Sequence, residues 1–91
     1  MKAYSNKEIE ESLKKFPTWS LVEGSIQRKF KFKDFSEALS FIVRVGLLAE
    51  KQGHHPEILN IYNKVTLSLD THDAGGITEK DFLLAAAVDK L

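Results

Sequence analysis

The stretch from Val65 to Asp70 constrains this chain most. Val65, Leu67 and Leu69 alternate with Thr66, Ser68 and Asp70, the period of two that gives a β-strand one apolar and one polar face. The run Ile58-Leu59-Asn60-Ile61-Tyr62 before it reads as a second strand. With Asn63-Lys64 as a two-residue turn, Asn supplying a positive φ, Tyr62 faces Val65, Asn60 faces Leu67 and Ile58 faces Leu69. On the neighbouring face Ile61, Leu59 and Glu57 meet Thr66, Ser68 and Asp70. Continued outward, this register predicts His55 opposite His72, with Cβ atoms about 5 Å apart. Pro56 cannot donate to the ladder and pushes His55 toward extended backbone, so the strand is expected to fray there and let His54 swing toward the same pocket.

Three helix starts frame this hairpin. Ser5-Asn6-Lys7-Glu8 is a capping box opening a helix whose Ile9, Leu13 and Phe16 share one side until Pro17. Asp34-Phe35-Ser36-Glu37 opens a second helix, expected to run to about Gln52, where Gly53 is a natural stop. Thr78-Glu79-Lys80-Asp81 opens a third, to about Lys90, and capping alone explains Thr78 and Asp81. Thr18 to Glu23 and Ser25 to Phe32 read as strands around Gly24, with Trp19, Leu21, Ile26, Phe30 and Phe32 as apolar contacts. Lys29, Lys31 and Lys33 alternate on one face, which reads as solvated surface or edge protection. The order α-β-β-α-β-β-α implies an α+β fold, a four-stranded antiparallel sheet with helices packed on one face, and residues 1–91 are expected to form a single domain.

All three histidines, His54, His55 and His72, fall at the hairpin's open end. Histidine exchanges protons near neutral pH, so three around one hairpin point to proton transfer or a metal. A zinc shell would need Glu50, Glu57 or Asp73 to complete it. The spacing is poor for one, because adjacent histidines diverge in extended chain and the chain has no cysteine. Metal-free acid/base chemistry on an organic substrate suits the residues better. Asp70, Asp73 and Glu50 are candidates to hold an imidazole tautomer, or are solvated carboxylates.

Glu50-Lys51, His54-His55-Pro56-Glu57, Asn60, Tyr62-Asn63-Lys64-Val65, Leu69, Thr71-His72, Gly76-Ile77-Thr78 and Asp81 together resemble the pterin-4a-carbinolamine dehydratases. The resemblance covers nearly the whole chain and is most specific from 50 to 81. It implies a hydro-lyase that removes water from 4a-hydroxytetrahydropterin, giving quinonoid dihydropterin in the recycling of the tetrahydropterin used by aromatic amino acid hydroxylases. Carried over residue by residue, the catalytic histidines are His54, His55 and His72, and the pterin-contacting segments supply Gly53, His54, His55, Asp70, Thr71, His72 and Asp73, with Glu50 as an orienting group. The reaction needs an acid at the departing hydroxyl and a base at the neighbouring nitrogen, but no metal and no cofactor. His54 and His72 are expected to exchange protons while His55 orients the ring. Two departures stand out: Gly53 where many members have an acidic residue, and Ile58 where they have tryptophan. The alternative is a non-catalytic protein-binding or dimerisation module, since vertebrate relatives are associated with a homeodomain transcription factor.

Composition narrows the remaining classes. Thirteen basic residues balance thirteen acidic ones, which leaves no electrostatic footprint for nucleic acid. No apolar run reaches the ~18 residues of a membrane span, so no membrane partner is expected and a cytoplasmic location is the default. In the second helix Phe35, Ala38, Leu39, Ile42, Val45 and Ala49 can cover the sheet, yet Phe41, Val43, Leu47 and Leu48 add apolar surface on other sides. Either another helix covers that surface or a second subunit does. A homodimer or homotetramer through this helix is the expectation, and the family resemblance points the same way.

Overall fold

The structure, a computed structural model, describes residues 2–91. Its elements follow the expected order: α1 (Asn6–Leu13), β1 (Ser20–Val22), β2 (Ser25–Lys31), α2 (Phe35–Gln52), β3 (Glu57–Ile61), β4 (Lys64–Leu69), a 3-10 turn (His72–Ala74) and α3 (Glu79–Asp89). The four strands form one antiparallel sheet in the order β1-β2-β4-β3.

Each helix begins where its cap predicts. Ser5 and Glu8 form a reciprocal capping box on α1, and Thr78 and Asp81 form another on α3. The Asp34 side chain accepts from the Glu37 N–H at the start of α2. These side chains satisfy amide groups that a helix start leaves without partners. The first helix is shorter than its apolar spacing suggests, ending at Leu13 and continuing as a turn to Phe16. The first hairpin turns at Glu23-Gly24, both with positive φ, 48° and 83°, the twist that tight hairpins favour.

The core lies between one face of the sheet and the helices. Ile26, Val65, Leu67 and Leu69 from the strands meet Ala38, Phe41, Val45 and Ala49 from α2 and Phe82, Leu84, Ala85 and Val88 from α3. Trp19 belongs to this core, and its indole Nε1–H donates to Asp89 Oδ1 at 2.9 Å. Burying Phe41 rather than leaving it outside corrects the sequence reading of α2. The outward residues are Phe35, Leu39, Val43 and Leu47, which follow one another at four-residue spacing and are all exposed. Phe41 turns inward because Phe30 and Phe32 meet it there, with ring centroids 4.6 and 4.9 Å away.

The second hairpin departs from the expected register by two residues. Its turn is Tyr62-Asn63, so Ile61 pairs with Lys64, Asn60 with Val65, Leu59 with Thr66, Ile58 with Leu67 and Glu57 with Ser68. Tyr62, not Asn63, takes the positive φ, 53°. Two asparagines explain the choice. Asn60 Nδ2 donates to the carbonyls of Tyr62 and Lys64, across the turn. Asn63 is bound to β2's end, its Nδ2 donating to Phe32 O and its carbonyl accepting from Phe32 N. These contacts hold Asn63 in the turn and leave Lys64 free to enter β4 opposite Lys31. A slip of two preserves which face each side chain occupies, but it removes the predicted opposition of His55 and His72. His72 lies beyond β4, in the 3-10 turn.

Candidate active site

The histidines are placed by the end of α2, the turn after β4 and the start of α3. At the end of α2, Gly53 adopts the left-handed conformation, φ 63°, and its N–H reaches the carbonyls of Ala49 and Glu50, a glycine stop of the kind that ends many helices. The next amide, His54 N, donates to Ala49 O at 3.1 Å. The chain therefore leaves the helix in a fixed direction, and its two histidines part. His54 is buried, whereas His55 is exposed.

His54 Nε2 lies 2.5 Å from Asp81 Oδ1. Asp81 is fully buried at the third position of α3. Its other oxygen, Oδ2, accepts from the Thr78 N–H and from the Thr71 hydroxyl, both at 2.9 Å. The Thr71 and Thr78 hydroxyls also meet each other at 2.7 Å. A carboxylate accepts only, so the proton of a neutral His54 sits on Nε2 and Nδ1 is the open nitrogen. No buried side-chain nitrogen or oxygen among the described residues lacks a partner. Nδ1 takes part in none of these bonds and so reaches the surface.

Thr71 carries the link onward to His72. It bridges to Gly76, with Thr71 N donating to Gly76 O at 2.8 Å, and its carbonyl accepts from Ala74 N as the 3-10 turn closes. His72 follows it and is exposed. Its imidazole joins no hydrogen bond or ion pair among the described residues. His55 Nε2 lies 2.5 Å from Glu50 Oε1, one turn back on α2, and both side chains are mostly exposed. Of the three, only His54 is bonded to Asp81; His55 follows it in the chain and is held by Glu50, and His72 follows Thr71, which bonds Asp81.

The remaining candidates divide. Glu50 does hold an imidazole, as the sequence suggests. Asp70 does not: its Oδ2 accepts from the Ser25 hydroxyl at 2.7 Å, because the β2–β4 register brings Ser25 alongside. Asp73 is exposed in the first turn of the 3-10 segment, with no imidazole bonded to it among the described residues. Thr71 turns its hydroxyl inward, onto Asp81 and Thr78. Gly53 acts as the helix stop. Asp81 is the residue that sequence reasoning understates by treating it only as a cap. A signal was present, since a capping box occupies one carboxylate oxygen and leaves the second for another donor.

Among the described residues, no group of three or more His, Asp or Glu side chains is arranged to hold a metal ion. Concavity does not mark the site either. Open grooves of about 510 and 550 Å³ lie elsewhere and are lined by no histidine. The hydrogen-bond network, rather than the depth of the surface, marks the cluster, because grooves report shape alone and imidazole is the side chain suited to exchanging protons near neutral pH.

Comparison with known proteins places the chain in a family and matches its fold. Residues 2–91 match the family model described as pterin 4 alpha carbinolamine dehydratase. A provisionally named pterin-4-alpha-carbinolamine dehydratase from a Picosynechococcus species is 54% identical over 84 residues, covering 92% of this chain and 91% of the relative. One from Chloroflexus aurantiacus is 50% identical over 91 residues, covering 100% of this chain and 98% of its own. A crystal structure described as a transcriptional coactivator/pterin dehydratase from Brucella melitensis superposes with a TM-score of 0.91 at 40% identity, over 97% of this chain and 96% of the other. A pterin dehydratase-like protein, identified as a RuBisCO assembly factor in the alpha-carboxysome, superposes with a TM-score of 0.63 at 25% identity, over 79% and 83%.

Proposed function

The chain belongs to the pterin-4a-carbinolamine dehydratase family, and from that premise we propose that it dehydrates 4a-hydroxytetrahydropterin to quinonoid dihydropterin in tetrahydropterin recycling. The observation that carries the reading is the link from His54 through Asp81 to Thr71, beside His72. In the proposed reaction His54 Nδ1 takes the proton from the nitrogen next to the carbinol carbon. His72 gives a proton to the hydroxyl, which leaves as water. One proton is taken and one given, so bulk solvent need only return the two rings to their starting states. Asp81 holds the His54 ring with Nδ1 outward and balances its charge once it is protonated. His55, steadied by Glu50, orients the pterin, with the backbone around Gly53 and residues 70–73 as the neighbouring contact surface.

The proposed chemistry is metal-free, because one acid at the departing hydroxyl and one base at the neighbouring nitrogen suffice for the loss of water. The setting we propose is a single cytoplasmic domain; among the described residues no helix is long and apolar enough to cross a membrane. Turnover tests the proposal: quinonoid dihydropterin should form from a 4a-hydroxytetrahydropterin faster with the protein than without it, and His→Ala variants should lose the acceleration. No acceleration by the wild-type protein would overturn it.

A second property is favoured by α2. Phe35, Leu39, Val43 and Leu47 make an apolar row along its outer side, with Val43 60% and Leu47 67% exposed. We propose that this row packs against the same row of a second copy, giving a homodimer or a homotetramer. A row at four-residue spacing suits helix-to-helix packing. The same surface keeps the protein-binding alternative open to test, since a partner helix would occupy it in the same way.

A further inference from the structure

The face of the sheet turned away from the helices concentrates positive charge. Lys31 of β2 pairs directly with Lys64 of β4, and Lys64 with Ile61 of β3. At the next pairing on that face, Lys29 meets Thr66 and Thr66 meets Leu59. Directly opposed side chains have Cβ atoms about 5 Å apart, and like charges placed so are destabilising. No ion pair relieves Lys29, Lys31 or Lys64 among the described residues; the four that occur join other side chains. The carboxylates of this face lie toward its other end, Glu57 opposite Ser68 and Asp70 on the Ser25 hydroxyl. A chain with no net charge thus gathers three cations around an open groove of about 510 Å³. Leu59 and Ile61 form its other side and are 53% and 64% exposed.

We propose that this face docks an acidic amphipathic helix of a partner protein, with carboxylates over Lys29, Lys31 and Lys64 and aliphatic side chains over Leu59 and Ile61. The charge and the apolar strip lie side by side, which is what such a helix presents. The spacing agrees. Helix positions three or four apart lie about 5–6 Å from each other, close to the strand separation of about 4.8 Å between Lys31 and Lys64 and the step of roughly 7 Å to Lys29. A helix laid across a sheet is also how the opposite face of this sheet is already covered. Nucleic acid fits less well. Single strands are gripped by stacking on aromatic rings, and here Arg28 and Phe30 alternate onto the helix side, opposite buried Leu67 and Val65.

The test uses the whole protein with a short synthetic helix bearing adjacent rows of Glu and Leu, followed by amide NMR shifts. Shifts should gather at Lys29, Lys31, Leu59, Ile61 and Lys64, and affinity should fall at least about tenfold in Lys64→Glu and in Leu59→Ser. A version of the helix with Gln for Glu should bind at least about tenfold more weakly. The unliganded Lys64→Glu protein should melt at a higher temperature than wild type, since the substitution removes the opposed like charges, and pterin turnover should not change. Absence of shifts, equal binding of the Gln helix, or tighter binding of a single-stranded oligonucleotide would overturn the proposal. So would loss of self-association in Lys64→Glu, which would make a second copy of this chain the occupant.

Discussion

His54 and Asp81 stand 27 positions apart in sequence, yet their side chains meet at 2.5 Å inside the fold. The contact joins the end of α2 to the start of α3 and is sealed on its far side by Thr71 and Thr78. It gives one of the three imidazoles a fixed ring orientation.

If that orientation serves proton transfer, His54→Ala and His72→Ala should each lower the dehydration rate by roughly 10²-fold or more, the scale of losing a positioned acid or base. Asp81→Asn should also slow turnover, although it keeps the shape of the cap. Stopped-flow detection of quinonoid dihydropterin, with circular dichroism as the check on folding, measures both effects. Near-normal rates in His54→Ala and His72→Ala would remove the catalytic assignment.

The two threonines can be separated from the imidazole. Thr71→Val keeps the shape but takes away the hydroxyl that Asp81 Oδ2 and Thr78 both use, so it should cost about 1–3 kcal/mol, the range for a buried polar group left short of a partner. Thr71→Ser should recover most of that loss. Chemical denaturation of the three proteins side by side decides the matter.

Along α2, position determines the outcome of adding a charge. Val43→Glu and Leu47→Glu lie on the exposed row and should yield a folded protein of monomeric mass by light scattering. Phe41→Glu lies against Phe30 and Phe32 in the core and should unfold it. A monomeric wild type at micromolar concentration would sink the self-association proposal.

Treatment with a strong chelator should leave turnover unchanged, and zinc should not co-purify in stoichiometric amount. Activity lost on chelation and restored by added metal would show that the imidazoles serve as ligands instead.

At low pH, helix α1 should respond through its cap. The Ser5 backbone N–H, and then the Ser5 side chain, hold the Glu8 carboxyl below the usual glutamate range. A lowered folded value means a contribution present above the unfolded value and lost as pH falls through the folded one. The stability gap between wild type and Glu8→Gln should therefore be open at neutral pH and narrow as acid is added and the Glu8 carboxylate takes up its proton. A gap that widens with acid would contradict the assignment.

Much of this architecture can be read from residue order alone. The starts of α1, α2 and α3 follow from Ser5, Asp34 and Thr78, because caps are local and need no tertiary context. The strand faces follow from alternation in the same way. Hairpin register does not, since a slip of two leaves Val65, Leu67 and Leu69 on the same side, and only the contacts of Asn60 and Asn63 choose between registers. The outward row of α2 was obscured for a similar reason: Phe35 and Leu39 are as apolar as the residues that turn inward. At the site, the three histidines and Glu50 stand out by type and spacing. The role of Asp81 does not, because its partner, His54, lies 27 residues earlier in the chain.

Asp81 begins a helix and braces an imidazole with the same carboxylate. Fraying of the first turn of α3, an event far smaller than global unfolding, therefore releases His54 as well. Hydrogen exchange at the Asp81 amide would then track the fraction of molecules whose site is disassembled at any moment. Opening of that turn would free the His54 ring while the sheet is still whole.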